Sequence, residues 1–254
     1  MHIDQPLTLL GGLTPAQFMK RHWQRKPLLV RGAVPGMRAL VPPAVGVYAT
    51  RLVHAAERVE DRLDHYVRHM PEAIASFGVM RLAAFGFGCT GSSYRAGPAL
   101  EDSLAAEASA ATGGLPVVTA AQAIRRALGA LGLRRIALVS PYPEGLSEAG
   151  YRYWADCGIE LVARLRVEPS LSDTHRIYEL TSDDALDALR RIDRSGADAL
   201  LATGTGMPTL RALRSLRAEL PLPVLSSNLC LAWALTGEAA PELAPASPVG
   251  LLPP

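Results

Sequence analysis

The sequence predicts an α/β fold built on parallel sheets and arranged as two pseudo-equivalent lobes. Three observations carry this. Strand-like and helix-like segments alternate through most of the chain, as βαβ units require. The strand-like segments, such as RRIALVSPY at 134–142, are continuous apolar runs rather than alternating ones. That is the pattern of strands covered by helices on both faces. Finally, one block of the pattern occurs twice.

The two copies read LPVVTAAQAIRRALGA from Leu115 and LPVLSSNLCLAWALTG from Leu222. Each has Leu-Pro-Val, an apolar residue, a small hydroxyl residue and an Ala-Leu pair, Ala127-Leu128 in one and Ala234-Leu235 in the other. Upstream of each, a strand ends in a glycine-rich loop: Phe87-Gly88-Cys89-Thr90-Gly91 and Ala202-Thr203-Gly204-Thr205-Gly206. A Pro-x-Leu helix start follows both loops, at Pro98 and at Pro208. Chance similarity between two α/β units is the plain alternative. The preferred reading is two lobes that face each other. Parallel α/β sheets place ligands beyond their C-terminal strand ends, so Cys89 and Gly204 would stand on opposite walls of one cleft.

In chain order, Thr14-Pro15 is a helix start, with Thr as cap and Pro at the first helical position. Pro27 ends that helix and Leu28 to Val30 reads as a short strand. From Arg38 the composition turns rich in Ala, Leu and Gly. Residues 52–78 read as helical with a break near Pro71, and Arg81 to Phe87 as a strand running into a Gly/Ser loop. A helix is expected from Pro98 to Ala111, a strand at 115–119, a helix at 120–132 and a strand at 134–142. Next come a helix from Glu148 to Cys157, a strand at 159–167 and a helix with Ser182 as its cap, followed by acidic residues. The strand ending in ATGTG, the helix at 209–220, the strand at 222–227 and the helix at 228–237 complete the series. The predicted division is a leader (1–37), a body (38–237) and a Pro/Ala-rich tail (238–254) expected to be poorly ordered. Within the body, lobe 1 takes about 38–116 plus 223–237 and lobe 2 about 117–222.

Bulk properties exclude several classes. An apolar share of 49% and a charged share of 20% mark a globular chain. The 26 basic and 24 acidic residues are interspersed, so no basic stripe points to nucleic acid. No uncharged apolar stretch is long enough for a transmembrane helix, and no secretory leader is apparent. Cys89, Cys157 and Cys230 are widely spaced and odd in number, which suits a reducing, cytoplasmic setting better than a disulfide framework.

The chemistry concentrates at the two loops. A Thr-Gly loop after a buried strand exposes backbone N–H groups that can bind a carboxylate. Thr90, Gly91 and Ser92 supply donors on one side; Thr203, Gly204, Thr205 and Gly206 on the other. Such a pair suits a dicarboxylate, or a carboxylate beside a developing enolate. Cys89 occupies the place of a nucleophile, and loop dipoles would help it ionise. Buried cysteines are often filler, and Cys157 and Cys230 read that way. Tyr142 ends a strand, where a phenol either donates to an oxyanion or packs as a lid. Asp173, Thr174 and His175 either line the cleft or form a solvated loop.

GCTGSSY (88–94), VSPY (139–142), TGTGMPTL (203–210) and PVLSSN (223–228), in this order, resemble the maleate cis–trans isomerase and arylmalonate decarboxylase branch of the aspartate/glutamate racemase superfamily. The resemblance covers roughly Arg38 to Gly237. It implies two Rossmann-like lobes related by a pseudo-twofold axis, an active site between them, no metal or organic cofactor and a small dicarboxylate substrate. Relatives are often dimeric or larger, which implies a homo-oligomer. Cys89 matches the cysteine that adds to maleate in the isomerases, and Tyr142 the tyrosine that contacts a substrate carboxylate. Gly204 stands where racemases carry a second cysteine, which removes a two-thiol mechanism. The decarboxylases keep the second-lobe cysteine, whereas this chain keeps the first, which favours isomerase over decarboxylase. The family's first strand, with its carboxylate-binding Asn, has no counterpart. The leader instead resembles the N-terminus of Jumonji-type cupin ribosomal oxygenases, as if a foreign segment had replaced that unit.

The expected activity is therefore cofactor-independent isomerisation of a small unsaturated dicarboxylate through Cys89. The alternatives are a substituted-malonate decarboxylase with Cys89 as proton donor, and an impaired remnant or binding protein. Iron-dependent oxygenase chemistry would rest on the leader alone, where His2 and Asp4 have no barrel behind them.

Overall fold

A computed structural model of the chain describes residues 40–168, 170 and 174–252, together with the single residues 14, 16, 17 and 20. The expected leader strand at 28–30, the His2–Asp4 spacing and Asp173 lie outside the described residues. Thr14 does form its expected cap: its hydroxyl accepts from the Gln17 N–H, while the Gln17 side chain accepts from the Thr14 N–H, both at 3.1 Å.

Two parallel sheets organise the body. The first pairs β1 (Phe85–Phe87) with β2 (Val117–Thr119). The second has four strands in the order β4-β3-β5-β6: Glu160–Arg166, Arg135–Ser140, Ala199–Ala202 and Val224–Ser226. The inner strands β3 and β5 are buried along Ile136–Val139 and Ala199–Ala202, which explains their uninterrupted apolar sequence. This pairing corrects the boundaries read from sequence. Those boundaries, at 116/117 and 222/223, put β2 in lobe 2 and β6 in lobe 1. Hydrogen bonding places β2 against β1 and β6 against β5.

The helices are α1 (Val59–Arg68), α2 (Met70–Ala75), α3 (Thr90–Ala96), α4 (Pro98–Ala111), α5 (Ala120–Leu131), α6 (Glu144–Asp156), α7 (Ser182–Arg191), α8 (Leu210–Glu219) and α9 (Ser227–Ala239). The repeat appears as two equivalent units, β1–α3/α4–β2–α5 and β5–α8–β6–α9. The hydroxyl residue of each copy caps the last helix. Thr119 accepts from the Gln122 N–H at 3.0 Å, and Ser226 from the Leu229 N–H at 3.2 Å. Those two helices, α5 and α9, pack against each other where the units meet. In α5, Ala120, Ala123, Ile124, Ala127 and Leu128 recur at helical spacing and are buried.

A polar and aromatic cluster joins α3 of the first lobe to α6 of the second. The Trp154 Nε1–H donates to the Tyr94 hydroxyl at 2.9 Å. Gly150 permits this approach, since a Cβ there would lie 2.5 Å from the Tyr94 ring. Deeper, the fully buried Glu101 accepts from the hydroxyls of Thr119 and Tyr153. Burial pushes its carboxyl above the ordinary range, against the pull of those bonds and of Ser93 and Arg125.

Three expectations need correction. Residues 90–96 form a helix, not an open loop. Helix α7 is capped by Thr181 through a capping box with Asp184, so Ser182 is its first residue rather than its cap. The tail is packed: Leu252 is buried, its carbonyl accepts from Arg217 at 3.0 Å, and the Pro245 carbonyl accepts from the Trp233 indole at 2.8 Å.

Candidate active site

β1 carries the chain to Gly88, and α3 starts at Thr90, so Cys89 is the residue before the first helical turn. Its sulfur accepts from the Ser92 hydroxyl at 3.1 Å. The backbone N–H groups of Gly91 and Ser92, in the first turn of α3, also favour its charged form. These donors favour the thiolate, as a helix N-terminus does. Burial acts the other way and dominates, so the thiol is held above its ordinary value. The expected help from local dipoles is present, but it does not win in the resting site.

A cavity of about 540 Å³, within the range of ligand sites, opens beside this sulfur. Cys89, Gly91, Tyr142, Thr205 and Gly206 line it, five of the nine residues singled out from sequence. Thr90, Ser92, Thr203 and Gly204 do not. Thr90 is buried, donating to the Ser227 hydroxyl at 3.1 Å, and Ser92 serves the sulfur. Thr203 turns back onto β3, where its hydroxyl donates to the Val139 carbonyl at 3.3 Å. Gly204 has φ +90°, and a Cβ there would fall 2.3 Å from Pro141 Cγ. The second loop is therefore no mirror of the first. It contributes a clamp: the Thr205 hydroxyl donates to the Gly88 carbonyl at 2.6 Å, and Asn228 Nδ2 donates to the Thr205 carbonyl at 3.1 Å. The two glycine-rich loops do meet, as the repeat predicts, through that bond.

Tyr142 lies just beyond β3 with only 6% of its surface exposed. Burial, then the nearby Cys89 and Tyr94, push its phenol well above 10, so it remains a neutral donor. Two tyrosines missed in the sequence share the site, Tyr66 of α1 and Tyr178 of the 3₁₀ turn Thr174–Glu179. Both phenols are raised by desolvation and by Cys89. Their only sequence signal was an aromatic on a helix face and one after the polar SDTHR run. The Thr174 and His175 side chains lie outside the described residues. Cys157 ends α6 and Cys230 is fully buried in α9; neither lines the cavity.

Among the described lining residues the charged or titratable cationic groups are Arg51, His54 and Arg62, and no carboxylate is present. Among the described residues, no group of three or more His, Cys, Asp and Glu is placed to hold a metal ion. No described helix is long and apolar enough to cross a membrane.

The sequence model of the arylmalonate decarboxylase family matches residues 31–251. Among individual proteins, the chain is 30% identical to the maleate isomerase of Geobacillus stearothermophilus over 116 residues, spanning 45% of each. It is 27% identical to the arylmalonate decarboxylase of Bordetella bronchiseptica over 188 residues, spanning 69% of each. The chain thus spans less than half the length of the isomerase it matches. In three dimensions it resembles a cysteine-to-serine mutant of the Nocardia farcinica maleate cis-trans isomerase, solved with a covalently bound succinylcysteine intermediate. That match has a TM-score of 0.72 and 22% identity, and covers 81% of this chain and 85% of that one. The likeness confirms the two-lobed parallel α/β fold.

Proposed function

The chain belongs to the arylmalonate decarboxylase family, and from that premise we propose that it is a cofactor-independent isomerase of a small unsaturated dicarboxylate, with Cys89 as nucleophile. One observation carries the proposal: Cys89 lines the cavity at the start of α3, and its sulfur receives the Ser92 hydroxyl. A cis-alkene dicarboxylate such as maleate presents an electrophilic carbon to that sulfur. The thiolate forms a C–S bond, and the alkene electron pair moves onto the adjacent carbon and its carboxylate. The former double bond is now single and rotates. The pair returns, the C–S bond breaks, and the trans isomer leaves with the thiolate regenerated. Tyr142, a neutral phenol, donates to the carboxylate that gathers charge. The three free thiols suit a reducing cytoplasmic compartment.

A second reading is favoured by the raised Cys89 thiol. A thiol that keeps its proton suits decarboxylation of a substituted malonate. There the C–CO2 bond breaks, its electron pair enters the enediolate, and the Cys89 S–H delivers a proton to that carbon.

The two readings differ in sign with pH. A nucleophile works as the thiolate, so kcat/KM for isomerisation should climb about tenfold per pH unit up to the raised thiol pKa. A proton donor works as the thiol, so kcat/KM for decarboxylation should be level through neutrality and fall above that pKa. Proton NMR of maleate and a substituted malonate, followed across pH with parent and Cys89→Ala, checks both. Full maleate turnover by Cys89→Ala would refute the isomerase mechanism.

A further inference from the structure

We propose that Tyr94 is a positioning residue: from α3 of the first lobe it holds the ring of Tyr142, the phenol of the second lobe, beside Cys89. This deepens the reading above and rests on Tyr142 being the donor to a substrate carboxylate.

The thiol and the phenol come from different sheets. Cys89 follows β1 and Tyr142 follows β3, so their spacing depends on how the two lobes are joined. The backbone of Tyr142 is fixed within its own lobe. Its N–H donates to Ser140 Oγ at 3.3 Å, and its carbonyl accepts from the Ser147 hydroxyl at 3.1 Å. Neither bond sets the direction of the ring, which turns about its own side-chain torsions. Tyr94 supplies a contact that does. It closes the GCTGSSY run, five residues after the thiol, and its ring meets the Tyr142 ring edge to face. The centroids are 5.9 Å apart and the planes cross at 83°, a favoured geometry for two aromatic rings.

Tyr94 is in turn held by the second lobe. Its hydroxyl accepts from the Trp154 Nε1–H at 2.9 Å, and the Trp154 and Tyr153 rings lie 6.0 and 5.4 Å from its own. Trp154 is fully buried, so its indole proton needs this partner. Burial raises the Tyr94 phenol, against the Thr203 hydroxyl and the Trp154 indole, so the ring stays neutral. Helix α6, which carries Tyr153 and Trp154, starts two residues after Tyr142. Anchoring Tyr94 to α6 therefore sets α3, and with it Cys89, against the segment that bears the phenol. Tyr94 does not line the cavity, so it acts through Tyr142 and not on a substrate.

The test is a double-mutant cycle read on alkylation of Cys89, with the modified peptide measured by mass. Iodoacetate carries a carboxylate and iodoacetamide, of nearly the same size, does not. The ratio of their rates at one mildly alkaline pH reports the carboxylate donor beside the thiol, whereas a general loosening of the site changes both rates alike. Tyr142→Phe should lower the ratio about tenfold, as for loss of a bond to a charged group. Tyr94→Leu should lower it nearly as far. Tyr94→Phe, which keeps the ring and gives up the Trp154 bond, should lower it about two- to threefold. In a Tyr142→Phe background neither change should lower it further. Melting curves report folding, and where Tyr94→Leu does not fold, the isosteric Tyr94→Phe decides. A ratio equal to the parent's in every Tyr94 variant that folds overturns the proposal, as does a fall of the same size with and without the Tyr142 hydroxyl. A ratio that Tyr142→Phe does not move removes the donor role of Tyr142 and the proposal with it. Because alkylation needs no turnover, a coupled fall in a protein that leaves maleate unconverted upholds the proposal while removing the isomerase reading.

Discussion

After β1 only Gly88 and Cys89 precede α3; after β5 seven residues, Thr203 to Thr209, precede α8. The two units share a strand, a glycine-rich loop and a Leu-Pro-Val return, but they handle charge differently. The short connection puts Cys89 directly before the first turn of α3, with the Ser92 hydroxyl on its sulfur. The long one carries Thr203 back onto β3 and Gly204 into a left-handed conformation against Pro141. A thiol in the first loop has donors waiting; a thiol in the second would have neither space nor a helix start beside it. A duplicated fold therefore does not duplicate a site, and this one works from one side.

The largest expected effect follows directly. Cys89→Ala should reduce turnover on the order of 10⁴-fold, as removal of a covalent nucleophile does. Cys157→Ala should leave it intact, since Cys157 ends α6 away from the cavity. Steady-state rates on the same substrate decide this. Next is Gly204→Cys, which restores a second thiol in name. The left-handed backbone and the Pro141 ring should together cost about 2–4 kcal/mol of stability. No proton exchange from the second face should appear. A thermal melt unchanged from the parent, or deuterium entering both faces of the product α-carbon, would break the contrast between the lobes.

How far the sequence revealed this depended on the kind of force involved. Strands β3 and β5 were legible because covered strands are apolar throughout. The helix cap Thr14 was legible because capping is local. Cys89, Tyr142 and the meeting of the loops followed from strand ends and from the repeat. Helix α3 was not legible: Thr-Gly-Ser-Ser has poor helix propensity, and burial of Thr90 through Tyr94 makes it helical. The φ of Gly204 and the docking of the Pro-rich tail under Trp233 are set by distant partners, which periodicity does not encode. The exchange of β2 and β6 between sheets has the same origin, because a strand's neighbour is a tertiary choice.

Within the first loop, Ser92→Ala sharpens the comparison further. It removes a hydroxyl donor to the sulfur while keeping the two N–H donors. The thiol pKa should rise further, so the alkylation rate of Cys89 at fixed pH should fall roughly tenfold, as for loss of a bond to a charged group. The whole pH profile should move to higher pH. An unmoved profile would mean that the hydroxyl serves the fold and not the thiolate.

The smallest effect tests what the second loop does contribute. Thr205 sends its hydroxyl across the lobes to the Gly88 carbonyl, one residue before the thiol. Thr205→Val keeps shape and β-branching and deletes that donor, so stability should drop by about 0.5–1.5 kcal/mol. If the bond fixes the Cys89 backbone relative to Tyr142, kcat should fall a few-fold with KM nearly constant, and Thr205→Ser should restore it. A stability loss without any change in kcat would reduce the second loop to a strut, leaving substrate positioning to the first loop and Tyr142.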